Sequence, residues 1–480
     1  MALTTQALDA ITAVVGPRWV RLAPAQLDVY ASDGLPTRFS RPGAVVLPGS
    51  REELIGVVRV LAHHEIPFVP RGAGTGLSGG GVGDADEIVL VCTRLNRILA
   101  IDAPNRRAVV EPGVVNVRLS EAARPYGLHY APDPSSQSAC TIGGNVAENA
   151  GGPHCLKYGT TTSHVLELEV VLPDGRPVTL GSACGEPWGP DLVGLFVGSE
   201  GMFGIATRIT VRLLPLPRAV RTLLADFSSI RAAGEAVSAI IAAGFVPAAL
   251  EMMDRNCIRV VEASIYAAGY PVHAAAVLIV EVDGPDEDAV AAESAGIEQL
   301  VRARGAGSVR VAVDEAERAR LWQGRKKAFG ALGRLNADLL VQDAVVPRSA
   351  LPDVLERIGT IAAEHGLEVS NVFHAGDGNL HPNLTFDRRQ PGDLARVERA
   401  SEAIMRVCID AGGTITGEHG VGSDKLRYMS LVFDADTLGA MRAVRRVFDP
   451  LERANPGKVV PVHQCSEWRG QWRARRGAAA

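Results

Sequence analysis

Short apolar runs and stretches of helical spacing succeed one another along this chain. Residues 5–15 read as a short amphipathic helix and Ala44-Val45-Val46-Leu47-Pro48 as a buried strand. Leu54, Val57, Val58 and Leu61 recur at the helical period behind Ser50 and Glu53, a capping box, so a helix is expected over 51–65. Strands are expected at 66–69, 88–92 and 108–111, then a helix at 117–126. A strand at 165–172 turns at Pro173-Asp174-Gly175 into a hairpin, and another strand covers 209–214. Pro215-Leu216-Pro217 breaks the pattern and sets a domain boundary. Beyond it, strands at 222–227, 274–282 and 309–313 alternate with helices at 230–243 and 287–304. That β-α-β-α-β order suggests a ferredoxin-like α/β layer.

Between the strands at 66–69 and 88–92 lies Pro70-Arg71-Gly72-Ala73-Gly74-Thr75-Gly76-Leu77-Ser78-Gly79-Gly80-Gly81, with six glycines in ten residues. Such a run packs no core. Its use is backbone conformation and close approach of main-chain N–H groups to an anion, most often a phosphate. It matches G-x-G-x-x-G, but more glycine, an acidic turn and a strand follow where a Rossmann helix would begin, and no Gly-Lys-Ser/Thr marks a P-loop. A second glycine- and hydroxyl-rich run spans 132–152, and a third, Gly198-Ser199-Glu200-Gly201-Met202-Phe203-Gly204-Ile205, precedes the strand at 209–214. Three such loops in one β-rich unit imply a long ligand wrapped by backbone, and a dinucleotide fits better than a mononucleotide.

In order and spacing these loops resemble the flavin domain of the vanillyl-alcohol-oxidase (PCMH-type) FAD proteins, over nearly all of 38–217. The resemblance implies an α+β domain with two subdomains holding FAD between them. The implied cofactor contacts are Arg71, Gly72, Ala73, Gly74, Thr75, Gly76 and Ser78 in the first loop. Pro134, Thr141, Gly143, Gly144, Asn145 and Gly151 follow in the second, and Gly201 and Ile205 in the third. Some relatives link the flavin to a His in the first loop; Thr75 occupies that place here, so non-covalent FAD is expected.

Composition narrows the class. The 480 residues carry a net charge of −5, which argues against nucleic acid as the main partner. The first residues lack a signal-peptide pattern and no apolar run reaches the roughly 18 residues of a membrane span, so a cytoplasmic protein is expected. The seven cysteines form no C-x-x-C pair and encode no zinc ribbon or iron–sulfur cluster. The stretch 462–480 reads as a basic tail with Trp468 and Trp472; it is expected to be disordered, with contact to a membrane surface or partner as the alternative.

The second half carries Phe373-His374-Ala375-Gly376-Asp377-Gly378-Asn379-Leu380-His381-Pro382-Asn383. Asp377-Gly378 is a two-residue hairpin signal. Centring the turn there sets His374 opposite His381, with Cβ atoms about 4.5–5.5 Å apart, close enough to share one metal. Asn383, two residues on, lies on the same face. Gly417-Glu418-His419-Gly420 offers a carboxylate and a further imidazole between glycines. A His₂Glu set suits zinc or a similar divalent ion with an open position. In Arg325-Lys326-Lys327, the two lysines read as a solvated helix face.

Arg325–Phe329, His374–Asn383, Gly417–Gly422 and Asn455-Pro456-Gly457-Lys458 resemble the C-terminal domain of the FAD-linked D-2-hydroxy-acid dehydrogenases, in particular the flavin (D) subunits of bacterial glycolate oxidases. The resemblance spans about 38–461 and divides the chain into an N-terminal helical segment (1–37), a PCMH-type FAD-binding domain (38–217), an FAD-linked oxidase C-terminal domain (218–461) and the tail. It implies His374, His381 and Glu418 as metal ligands, and Arg325, Asn383 and His419 as substrate-facing groups. Members acting on 2-hydroxyglutarate have a Thr one turn after the Arg and a Lys near the next strand. Phe329 and Val341-Gln342 stand there instead, which favours a small acid such as glycolate or lactate.

The expected chemistry is oxidation of a 2-hydroxy acid to the 2-oxo acid. His419 would be general base, Arg325 the carboxylate clamp, and FAD the hydride acceptor at N5. The resemblance further implies iron–sulfur and second flavin-domain partner subunits, electrons delivered toward quinone, and peripheral membrane association through those partners. Alternatives are a D-lactate or other D-2-hydroxy-acid dehydrogenase acting alone, a metal-dependent hydrolase with a nucleotide substrate, and a non-catalytic flavin-binding subunit.

Overall fold

The architecture follows from where the backbone finds partners. Ser50 accepts the Glu53 N–H at 3.1 Å, while the Glu53 carboxylate reaches back to the Gly49 N–H at 2.6 Å. This capping box starts the helix Arg51–His63, which buries Leu54, Val57, Val58 and Leu61. The computed structural model describes residues 3–185 and 189–461. The basic stretch 462–480, with Cys465, lies outside them.

The first sheet holds β1 (Val20–Arg21), β2 (Ala44–Val46), β3 (Phe68–Arg71) and β4 (Ile88–Val91) in the order β1-β2-β4-β3. β2 and β3 run parallel to β4, and β2 and β4 are buried throughout, as parallel strands require. The second sheet is antiparallel, built from β5 (Ile98–Asp102), β6 (Arg107–Val110), β8 (Val165–Val171), β9 (Pro177–Gly181) and β10 (Ile205–Arg212) in the order β5-β6-β10-β8-β9. β5 escaped sequence reading because it is a half-exposed edge strand. A short ladder joins β7 (Leu128–His129) to β11 (Leu214–Pro215). The first glycine loop leaves β3, and the third enters β10.

The third sheet begins with β12 (Ala219–Phe227), β13 (Ala249–Asp254), β14 (Ala276–Gly284) and β15 (Ala306–Val311), in spatial order β15-β12-β14-β13. This is the ferredoxin-like arrangement, but with a strand that the expected β-α-β-α-β order lacked. β13 reads Ala-Leu-Glu-Met-Met-Asp, and its two acids hide an otherwise apolar run. The sheet continues through β16 (Asp338–Val341), β17 (Ala344–Val345), β18 (Val369–His374), β19 (Asn379–Leu380) and β20 (Pro382–Phe386). β18 pairs with β13, β19 and β20, and β16 with β20. Leu223, Phe227, Val237, Ile240, Leu278 and Phe373 belong to one core against these strands.

The hairpin register corrects the expectation. His374 pairs with Asn379 and Asn371 with Pro382, so His381 falls opposite Val372 rather than His374. The Gly378 N–H closes on the Ala375 carbonyl at 3.3 Å, which puts Asp377-Gly378 at the last two positions of a four-residue turn, with Gly378 left-handed at φ +79. Because side chains repeat every two residues, His374 and His381 still share a face as diagonal neighbours.

Asp254 ends β13 and fastens it to β18. Its carboxylate caps the helix Arg255–Glu262 by accepting the Cys257 N–H at 2.9 Å, and accepts the Asn371 N–H at 2.7 Å and Nδ2 at 2.9 Å. Asp254→Ala should therefore lower stability by about 1–3 kcal/mol, and Asp254→Asn by less, since the cap survives. Thermal melts of the three proteins check the ranking.

Candidate active site

All three glycine loops meet the second half of the chain at one cleft of about 490 Å³, within the range that holds small-molecule ligands and cofactors. The first half contributes Arg71, Gly72, Ala73, Gly74, Thr75 and Gly76, then Pro134, Thr141, Gly144, Asn145 and Gly151, and finally Gly201. Gly143 and Ile205 line a smaller adjoining cavity that shares Gly72, Thr141 and Gly201 with the cleft. Ser78 lies outside both walls; its carbonyl instead accepts the Ser423 and Asp424 N–H groups at 3.0 and 3.2 Å. The Arg71 guanidinium donates to the Gly81 and Ser32 carbonyls at 2.9 and 2.7 Å, so it shapes the loop from behind.

The cradle fits a dinucleotide. A Cβ on Gly72 would strike the Thr141 hydroxyl, so the second loop approaches the first closely where the first carries no side chain. Asn145 Nδ2 and Glu148 Oε2 are buried without hydrogen-bond partners, and both residues line the cleft. These are groups that a polar ligand would satisfy.

On the opposite wall stand Lys326, Phe329, Leu339, Val341, His374, His381, Glu418 and His419. His374 Nε2 and His381 Nε2 each lie 3.1 Å from Glu418 Oε1. A tetrahedral ion with bonds of about 2.0–2.1 Å separates its ligand atoms by roughly 3.3 Å, so this set needs little movement to hold one. The other nitrogens are already engaged: His374 Nδ1 with Glu251 at 2.8 Å, His381 Nδ1 with the Gln342 carbonyl at 3.1 Å. That fixes both rings, as outer-shell partners of metal-binding histidines do. Burial opposes charge on His374, but Glu251 and Glu418 overcome it and hold its pKa well above the ordinary value. His374, His381 and Glu418 therefore form a candidate cation site. Asp343, His381 and His419 also cluster, but the Asp343 carboxylate is already saturated.

That carboxylate organises the Glu418 loop. It accepts the Thr416 hydroxyl at 2.6 Å, the Gly417 and His419 N–H groups at 3.0 Å each, and Lys425 Nζ at 3.0 Å. Burial would raise the Asp343 pKa; Lys425 and the His419 and His381 imidazoles hold it well below its ordinary range. His419 stacks on His381 with ring centres 4.8 Å apart. Burial pushes the His419 pKa down to about 4, which leaves a neutral imidazole at pH 7. Its Nδ1 is buried without a partner.

Two predicted groups sit behind the wall rather than on it. Arg325 is fully buried, and its Nε donates to Glu251 at 2.7 Å, although Nη1 lacks a hydrogen-bond partner. Asn383 Nδ2 donates to the Ser370 and His381 carbonyls at 2.9 and 2.6 Å, leaving Oδ1 unpartnered. Conversely, Lys326 is no solvated-face residue. It lines the cleft, with Nζ 3.6 Å from Asp133 and 5.6 Å from the Trp322 ring centre. Glu251, Asp343, Lys425, Glu148 and Glu200 were not singled out in the sequence. Glu251 and Asp343 each stand in or just after an apolar run, a setting that half-buried surface strands share and that does not single them out.

A glycine-loop cradle faces a His–carboxylate cluster across one cleft, an arrangement that suits a dinucleotide on one wall and a small polar molecule on the other. Residues 42–181 match the FAD binding domain family, and 216–459 match the FAD linked oxidases, C-terminal domain family. The chain belongs to the FAD-linked oxidases and is an FAD-dependent oxidoreductase. It is 48% identical over 440 residues to the glycolate oxidase subunit GlcD of Escherichia coli (strain K12), covering 92% of this chain and 88% of that protein. The Bacillus subtilis (strain 168) GlcD is 41% identical over 95% of this chain and 97% of its own. A D-lactate dehydrogenase of Archaeoglobus fulgidus is 33% identical over 90% and 96%. In fold the chain is similar to p-cresol methylhydroxylase with substrate bound, at a TM-score of 0.80 and 17% identity, covering 94% of this chain and 96% of that one. These neighbours bear out the PCMH-type fold.

Because Asp343 has a depressed pKa, its contribution to stability is complete above the ordinary value of 3.8 and is lost as pH falls from there toward the folded value. Asp343→Asn leaves the buried Lys425 uncompensated and should cost about 3–5 kcal/mol at neutral pH. The gap in melting temperature between the two proteins should narrow as pH drops below 3.8. A gap independent of pH would show that the charge contributes nothing.

Proposed function

We propose that the chain oxidises a small 2-hydroxy acid, glycolate or D-lactate, to the 2-oxo acid, with FAD bound non-covalently. The observation that carries this reading is the convergence of the glycine cradle and the His374–His381–Glu418–His419 group on one cleft, together with the likeness to GlcD subunits and D-lactate dehydrogenases. Phe329, Leu339 and Val341 give the pocket an apolar wall, which suits a substrate without a distal carboxylate. Thr75, with no nucleophilic imidazole to offer, leaves the flavin unlinked.

FAD when bound would supply the two-electron acceptor, and His374, His381 and Glu418 would hold a divalent ion, zinc by the donor set, which would supply Lewis acidity. The protein does the rest. His419, neutral at pH 7, takes the hydroxyl proton as general base. Arg325 supplies positive charge behind the carboxylate site, with its partnerless Nη1 as the donor. The stacked His381 ring fixes the plane of His419, and Asn383 holds the His381 backbone through its Nδ2. Electrons then leave to a partner subunit or quinone rather than to O₂; iron–sulfur and second flavin-domain subunits are the proposed partners. Among the described residues no helix is long and apolar enough to cross a membrane, and attachment to the inner face through partners is part of the proposal.

Anaerobic addition of glycolate or D-lactate should bleach the flavin band near 450 nm of the purified protein. His419→Ala should keep that band and the bound metal but lose about 10²–10⁴-fold in kcat. A colourless protein, or a yellow one that no 2-hydroxy acid reduces, would remove the reading. Near-wild-type turnover of His419→Ala would remove only the base assignment.

A further inference from the structure

The segment Asn455-Pro456-Gly457-Lys458 lines neither cavity against the cofactor loops, yet it is buried beside them. Asn455 and Lys458 are each 1% exposed. Asn455 Nδ2 donates to two carbonyls at once, Gly80 at 3.1 Å and Glu200 at 2.5 Å. Gly80 lies near the end of the first glycine loop, after β3 of the first sheet. Glu200 sits in the third, before β10 of the antiparallel sheet. One carboxamide therefore spans the two subdomains that face the cofactor cleft.

Lys458 fixes which way that carboxamide points. Its Nζ donates to Asn455 Oδ1 at 2.6 Å. An ammonium has only donors, so it selects the oxygen and leaves both N–H groups for the loop carbonyls. The backbone of the segment is held independently. Phe68 N–H donates to the Arg453 carbonyl at 2.9 Å, Asn455 N–H to the Phe68 carbonyl at 2.8 Å, and Ala454 N–H to Asp449 at 2.7 Å. Asn455 itself is left-handed at φ 43, a conformation Asn tolerates better than most residues.

We propose that Asn455, oriented by Lys458, is a positioning residue for FAD that staples the first and third cofactor loops in their ligand-ready separation. A ligand that touches loops on two sheets binds only the fraction of molecules in which they stand at the right distance. Its apparent Kd rises as that fraction falls. The staple keeps the fraction high before the cofactor arrives, so its value appears in binding.

Asn455→Asp keeps the shape but has no N–H to give, and Asn455→Ala removes the group. Titration of the deflavinated full chain with FAD, followed by quenching of flavin fluorescence, should show Kd raised about tenfold or more in both, as expected for two lost hydrogen bonds. Far-UV circular dichroism of the FAD-free protein should stay as in wild type and its unfolding should remain cooperative, with the melting temperature lowered by no more than a few degrees, because the main-chain contacts of 453–455 remain. Lys458→Met should raise Kd in the same direction by a smaller factor, and it carries the test if the Asn455 variants are insoluble. FAD affinity within twofold of wild type in these variants overturns the proposal. So does a loss of affinity matched by unfolding of the FAD-free protein, which would make the role merely structural.

Discussion

The site depends first on one buried carboxylate. Asp343 takes hydrogen bonds from the three main-chain N–H groups of the loop 417–419, from the Thr416 hydroxyl and from Lys425. A loop rich in glycine has no side-chain packing to hold it. Without a central acceptor its N–H groups would turn to water and the Glu418 and His419 side chains would disperse. With Asp343 in place, Glu418 is delivered to within 3.1 Å of both His374 and His381, and His419 is stacked on His381. Lys425 supplies the charge that makes burying Asp343 tolerable. A buried acid with no cation beside it would instead take up a proton and lose its hold on the loop.

Glu251 plays the matching part on the other side. It stands on β13 opposite His374 of β18, and its carboxylate is shared between the His374 ring and the Arg325 guanidinium. Charges thus alternate through the interior in the order Arg325, Glu251, His374, Glu418. Each carboxylate lies between two potential cations, so the buried column is close to neutral. Removing any one member would leave its neighbours uncompensated.

Much of this was legible in the sequence. The three glycine loops, the ferredoxin-like alternation and the His–His–Glu set stand out because they are unusual residue types at close spacing. What was missed is of another kind. Glu251 lies in a strand whose partners are distant in sequence, and nothing local tells a buried acid in Ala-Leu-Glu-Met-Met-Asp from a surface one. Asp343 is recognisable only when a loop more than seventy residues later folds over it. The hairpin register slipped because Asp-Gly serves two positions in a turn with similar ease; the shared face survived because a shift of one turn position preserves the two-residue period. Lys326 was read by composition as surface, and only the fold shows its helix facing the cleft.

The cleft exists only if the two halves of the chain keep their spacing, and His154 accounts for much of that. It lies just after the second glycine loop, and its ring bridges Asp133 at 2.9 Å and Glu281 of β14 at 3.2 Å while stacking on Trp322. Burial opposes its charge, but the two carboxylates raise its pKa to about 10, so it is a cation at neutral pH. Two residues further along β14, Asp283 accepts the Tyr158 hydroxyl at 2.6 Å and pairs with Lys157. Glu281 and Asp283 share one face of their strand, and the segment 154–158 therefore docks along it at two successive positions. A contact made at one point could pivot; one made at two along a strand sets both distance and angle. The glycine cradle and the histidine cluster lie on opposite walls of the cleft, and hydride transfer from a substrate carbon to a flavin tolerates little error in that separation. Rigid docking of this kind would let a cofactor held by one half meet a substrate held by the other.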